Sequence, residues 1–110
     1  MAEMSKETEQ KISQLQLYEQ SLQNILMQKQ QFQSQSMEVD SALSELENTK
    51  EAYKIVGNIM VASKKEDLKK ELESKKETLN LRIKTFEKQE DHIREKAKKI
   101  QQEVSEKIKE

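Results

Sequence analysis

Cysteine, proline and tryptophan are absent from the 110 residues, glycine occurs once, and aromatic side chains make up 4% of the chain. Without cysteine there is no disulfide staple and no thiolate metal site, a pattern that fits a reducing compartment. Without proline, nothing obliges a long helix to break. No apolar run approaches the length of a membrane span, and Met1 to Gln10 lacks the basic-then-apolar order of a secretory signal. The expectation is a soluble cytoplasmic protein with no membrane partner. Catalytic equipment is equally sparse: one histidine, His92, and no glycine-rich phosphate loop. His92 reads as a solvated helix position, and the adjacent acids Glu90 and Asp91 point to different parts of a helix surface. No enzyme activity, metal or cofactor is expected.

What is present is charge. Charged residues make up 37% of the chain and hydrophobic ones 33%, too lean a mixture to fill a thick globular interior. Such a chain either lines up helices along narrow apolar seams or stays disordered, and its sustained periodicity favours seams. Residues 1–50 carry four Lys against eight acids, and residues 64–110 carry fifteen Lys or Arg against twelve acids. The opposite net signs favour pairing of the two arms and set register more than they add stability. The lysine clusters at Lys64, Lys65, Lys69, Lys70, Lys75, Lys76, Lys98 and Lys99 do not make a phosphate-binding stripe. Glu66, Asp67, Glu71, Glu73 and Glu77 interrupt the first of them, so no nucleic-acid partner is expected.

In the first arm, residues 5–50, a three-and-four spacing joins Leu15, Tyr18, Leu22, Ile25, Phe32, Val39, Leu43 and Leu46, skipping only Lys29 and Ser36. That is a heptad seam, and its two polar positions cost stability but define register. Ser5 is placed to cap the helix. Met27 and Met37 read as flank packing of the coil. In the second arm, residues 64–110, Leu72, Leu79, Phe86, Ile93 and Ile100 recur every seven residues, with Ile83, Ala97 and Val104 at the companion position. Lys69, Lys76 and Glu90 occupy the companion position elsewhere and are expected to flank the seam with their charged heads in water; Leu68 adds to the seam near the turn. Ser63-Lys64-Lys65-Glu66 has the form of a capping box that would start this helix. Antiparallel packing places Leu46 near Leu68 to Leu72 and Leu15 near Ile100, in arms about 65 Å long at 1.5 Å per residue.

Between the arms, residues 53–62 hold the one glycine within a dense run of apolar and β-branched residues. With Gly57-Asn58 as a two-residue turn, Val56 pairs with Ile59, Ile55 with Met60, Lys54 with Val61 and Tyr53 with Ala62. Both faces are then largely apolar and both edges unpaired, and a lone hairpin is marginal in water. The predicted fold is mainly α: a long antiparallel two-helix coiled coil joined by one β-hairpin that assembles with other subunits into a shared sheet or β-barrel. Tyr53, Ile55, Val56, Gly57, Ile59, Met60 and Val61 are the expected oligomerisation residues.

The motif Tyr53-Lys54-x-Val56-Gly57-x-x-x-Val61, with Gln28-Lys29-Gln30 upstream, resembles the beta class of prefoldin subunits. Leu79-Asn80-Leu81-Arg82 followed by Lys88-Gln89-Glu90 is similar to the second helix of archaeal beta subunits. The resemblance covers residues 1–110 as one domain, and a single hairpin matches the beta rather than the two-hairpin alpha class. It implies a hexamer of two alpha-type and four beta-type subunits with a double β-barrel base and six coiled-coil tentacles. It further implies an ATP-independent chaperone that holds unfolded client proteins and passes them to a group II chaperonin.

A holdase offers apolar surface yet stays soluble when empty, and frayed coil ends meet both needs. Ile12, Leu15, Leu17, Ile100, Val104 and Ile108 are the expected client-binding residues. Leu15, Ile100 and Val104 equally suit seam packing, whereas Ile12, Leu17 and Ile108 lie off the best seam. The alternative reading is a structural or tethering coiled coil that binds no client.

Overall fold

A serine hydroxyl opens the first helix. In the computed structural model, which describes residues 5–109, Ser5 Oγ accepts the Thr8 N–H at 3.2 Å and the Ser5 carbonyl accepts the Glu9 N–H at 3.0 Å. Ser5 is therefore the N-cap of α1, Lys6–Glu47, and satisfies donors that the first turn leaves without partners. The helix ends three residues before the expected position 50. There Asn48 N–H donates to the Glu45 carbonyl at 3.1 Å and Thr49 N–H to that of Leu46 at 3.3 Å, tightening the last turn. Thr49 Oγ1 donates to the Glu45 carbonyl at 2.8 Å, and Lys65 Nζ to that of Glu47 at 3.0 Å. The last turn of α1 contains no basic residue, so Lys65 supplies the cation that complements its dipole.

Strands β1, Ala52–Val56, and β2, Ile59–Ser63, pair antiparallel in the expected register, extended by one pair, Ala52 with Ser63. Gly57 has φ +61° and no other described residue has positive φ, which defines a type II′ turn with glycine first. A Cβ at Gly57 would meet nothing within 4 Å, so Gly57→Ala introduces backbone strain alone. The expected cost is about 1–2 kcal/mol of hairpin stability, read as faster exchange of the strand amides with helical circular dichroism unchanged.

Helix α2, Lys65–Lys109, starts later than a Ser63 cap would have it. Ser63 is held in the strand ladder opposite Ala52, and the first helical bond runs from Leu68 N–H to the Lys64 carbonyl at 3.0 Å.

The chain forms two compact units: Met1–Lys29 with Thr85–Glu110, called here the terminal unit, and Gln30–Lys84, the hairpin unit. In the hairpin unit α1 and α2 run antiparallel, with Asp40 bonded to Lys76 and Ser36 to Asn80. Val39, Leu46 and Leu79 are buried, Phe32, Leu43, Leu68, Leu72 and Ile83 half-buried, and the Arg82 guanidinium lies 5.7 Å from the Phe32 ring centre. In the terminal unit the helices are again antiparallel. Lys29 Nζ meets Glu90 Oε1 at 2.6 Å and Lys11 Nζ meets Glu103 Oε2 at 3.1 Å. Val104 is buried there, and Ile12, Leu15, Tyr18, Leu22, Ile25, Phe86, Ile93, Ala97 and Ile100 are half-buried.

Glu90 departs from expectation. Its carboxylate is not in water but 4% exposed, gripped by Lys29 and approached by Arg94 Nη2 at 3.4 Å. Lys69 is exposed, as a flanking residue should be, while Lys76 reaches Asp40. Met27 and Met37, expected to pack on the coil flank, are exposed, because the seam is too narrow to reach them.

Candidate assembly and binding surfaces

Strand alternation places Tyr53, Ile55, Met60 and Ala62 on one face of the hairpin and Lys54, Val56, Ile59 and Val61 on the other. Neither face is covered: the six large apolar side chains range from 48% exposed at Val61 to 71% at Ile55. Full burial of each is worth about 1.5–3 kcal/mol, so a partner covering both faces gains on the order of 10 kcal/mol. The only charge among these eight residues is tied back, with Lys54 Nζ bonded to Glu71 Oε1 of α2 at 2.6 Å. Tyr53 Oη donates to Glu51 Oε2 at 2.9 Å, so the ring offers its apolar body while its hydroxyl stays hydrogen-bonded. The hairpin thus presents two open edges and no covering layer, with Gly57 supplying its turn.

The expected client-binding residues all lie in the terminal unit, in different settings. Leu17 and Ile108 are 62% and 65% exposed, Val104 is buried, and Ile12, Leu15 and Ile100 are half-buried. The unit is tied by polar groups near its ends. Lys11 bridges Glu7 and Glu103, and its hydrogen bond to Glu103, with the charges of both acids, holds the ammonium above the usual lysine range against a smaller opposing effect of burial. A raised lysine pKa stabilises the fold below the ordinary value and loses that effect only as pH rises through the raised one. The Lys11 pair therefore persists across neutral pH.

The cluster of Lys29, Glu90 and Arg94 was not expected from the pattern of either helix alone. Its signal lay in two separate seam interruptions, Lys29 in one arm and Glu90 in the other, of opposite charge. Among the described residues no group of histidine or acidic side chains is arranged to hold a metal, and every buried side-chain polar atom has a partner. His92 is exposed. Among the described residues no helix is long and apolar enough to cross a membrane.

The family described as "Prefoldin subunit" matches residues 9–110. The prefoldin beta subunit of Archaeoglobus fulgidus is 39% identical over 94% of this chain and 92% of its own length. That of Pyrococcus abyssi is 38% identical over 84% and 82%. The crystal structure of the prefoldin beta subunit from Thermococcus strain KS-1 is similar with a TM-score of 0.92 and 32% identity, covering 96% of each chain. With this fold, this uncovered hairpin and relatives that match it nearly end to end, the chain belongs to the prefoldin family and groups with its archaeal-type beta subunits.

Proposed function

We propose that the chain is a subunit of an ATP-independent holdase, joined through its hairpin to prefoldin alpha-type and other beta subunits in a hexamer of two alpha and four beta chains. The observation that carries this reading is the hairpin, apolar on both faces and covered on neither. Hairpins contributed by neighbouring subunits close into a β-barrel, which removes the open edges and buries the side chains of both strands. Unfolded clients are held at the terminal unit, where Leu17 and Ile108 are exposed and Ile12, Leu15, Ile100 and Val104 line or flank a shallow seam. Each contact is weak, and several subunits acting on one client raise the effective concentration of every further contact. Release passes the client to a group II chaperonin in the cytosol. The family is non-catalytic, and nothing in this mechanism requires ATP or a metal.

Mixing the purified chain with an alpha-type subunit and following a denatured enzyme by light scattering tests the reading. The expected result is a stable hetero-oligomer that suppresses aggregation, with suppression lost when both termini are cut back to remove Ile12, Leu17 and Ile108. A tethering coiled coil gives neither the hetero-oligomer nor the protection. Full suppression by the truncated assembly would refute client binding at the terminal unit.

A further inference from the structure

The Lys29–Glu90 pair sits where an apolar seam would otherwise continue, and it interrupts both helices at one level. Lys29 falls between Ile25 and Phe32 in the α1 seam, and Glu90 between Phe86 and Ile93 in α2. Both ions are largely withdrawn from water, with side-chain exposures of 17% and 4%, and Arg94 adds a second cation at 3.4 Å. Desolvation offsets most of the attraction in such a pair, so it contributes little net cohesion between the helices where a pair of leucines would contribute much.

On the terminal side of the pair, packing is thin. Val104 is the one buried aliphatic there among the described residues, and Leu15, Tyr18, Leu22, Ile25, Ile93 and Ile100 are only half-buried. The remaining cross-helix ion pair, Lys11 with Glu103, is partly exposed and of the kind that stabilises little. The hairpin unit by itself holds three buried aliphatics. Cohesion is therefore low beyond the pair and higher in the hairpin unit, the condition for local opening in separate cooperative segments.

We infer that the Lys29–Glu90 pair divides the helical seam into two independently opening segments, and that residues 5–28 with 91–109 open as one unit. Resting on the holdase reading above, this opening presents Leu15, Tyr18, Leu22 and Ile25 to an unfolded polypeptide. The client surface is then a whole seam segment, larger than the scatter of exposed end residues, and the pair sets its inner limit.

Native-state amide exchange on the full-length chain tests the division. Amides of residues 12–28 and 91–104 are expected to share one protection level, at least about tenfold below that of residues 32–46 and 72–86, with a step at Lys29 and Glu90. Replacing the pair by leucines (K29L with E90L) is expected to raise protection of the outer segment at least about tenfold and erase the step. K29R, which keeps the cation, is expected to retain it. A smooth decline of protection toward the ends in the natural chain overturns the inference, as does a step that survives the leucine pair. If the step vanishes while aggregation suppression is unchanged, the segments stand as described and the holdase reading of the outer seam fails.

Discussion

Aspartate in place of both Ile55 and Ile59 is expected to yield a chain that no longer assembles. The two positions lie on opposite faces of the hairpin, and both are well over half exposed in the isolated chain. A charge at either one is solvated before assembly and stripped of water after it. An unpaired carboxylate carried into an apolar interface costs several kcal/mol, so two of them reduce association by more than about a thousandfold. Poor strand propensity of aspartate adds at most about 1 kcal/mol within the hairpin itself, too little to account for the loss. Sedimentation is expected to show a monomer with unchanged helical circular dichroism, and threonine at both positions is expected to weaken assembly less. An oligomer of natural size in the aspartate variant would mean that the hairpin is not the assembly element.

Lys29→Met is expected to destabilise the helical pairing by about 3 kcal/mol, more than any other single change considered. Removing one partner leaves Glu90 charged and almost fully buried, and breaking a buried pair in this way costs about 3–5 kcal/mol. Arg94, 3.4 Å away, retains some compensation, which places the effect at the low end. Urea denaturation followed by circular dichroism reads it, and converting Glu90 to leucine in the same chain is expected to restore the loss in full and raise stability above that of the natural chain. A shift below about 1 kcal/mol for the single change would show that water reaches Glu90 freely in the folded chain.

Much of the architecture was legible because its determinants are local or periodic. The alternation of three and four from Leu15 to Leu46 needs only helical geometry to become a stripe, and the same holds for Leu72 to Ile100. The hairpin register followed from a single glycine in a two-residue turn, since Gly57 adopts φ +61° and a two-residue connection leaves one pairing of the flanking strands. Exposure of both hairpin faces was equally legible, from the count of apolar residues against the covering available to them. Ser5 caps α1 as its residue type predicts, but the helix ends that flank the hairpin were not legible. Ser63 has a capping sequence but is claimed by the ladder opposite Ala52, and α1 stops at Glu47 because Thr49 and Lys65 take its last carbonyls. These outcomes are competitions between local preferences, settled at Ser63 by strand pairing and at the end of α1 by the Thr49 hydroxyl with the Lys65 ammonium of α2.

The amino-acid order by itself determined the helical seams, the turn and a ribbon that is greasy on both faces, because each depends on spacing along one segment. Only the tertiary structure decided that Glu90 lies buried against Lys29 and that Asp40 meets Lys76, because those facts depend on which residues of two remote segments come level. Seen along one helix, a charge in a seam is a flaw that a long side chain carries out to water. When two helices pack and flaws of opposite sign coincide, the same charges are desolvated together and become a specific contact.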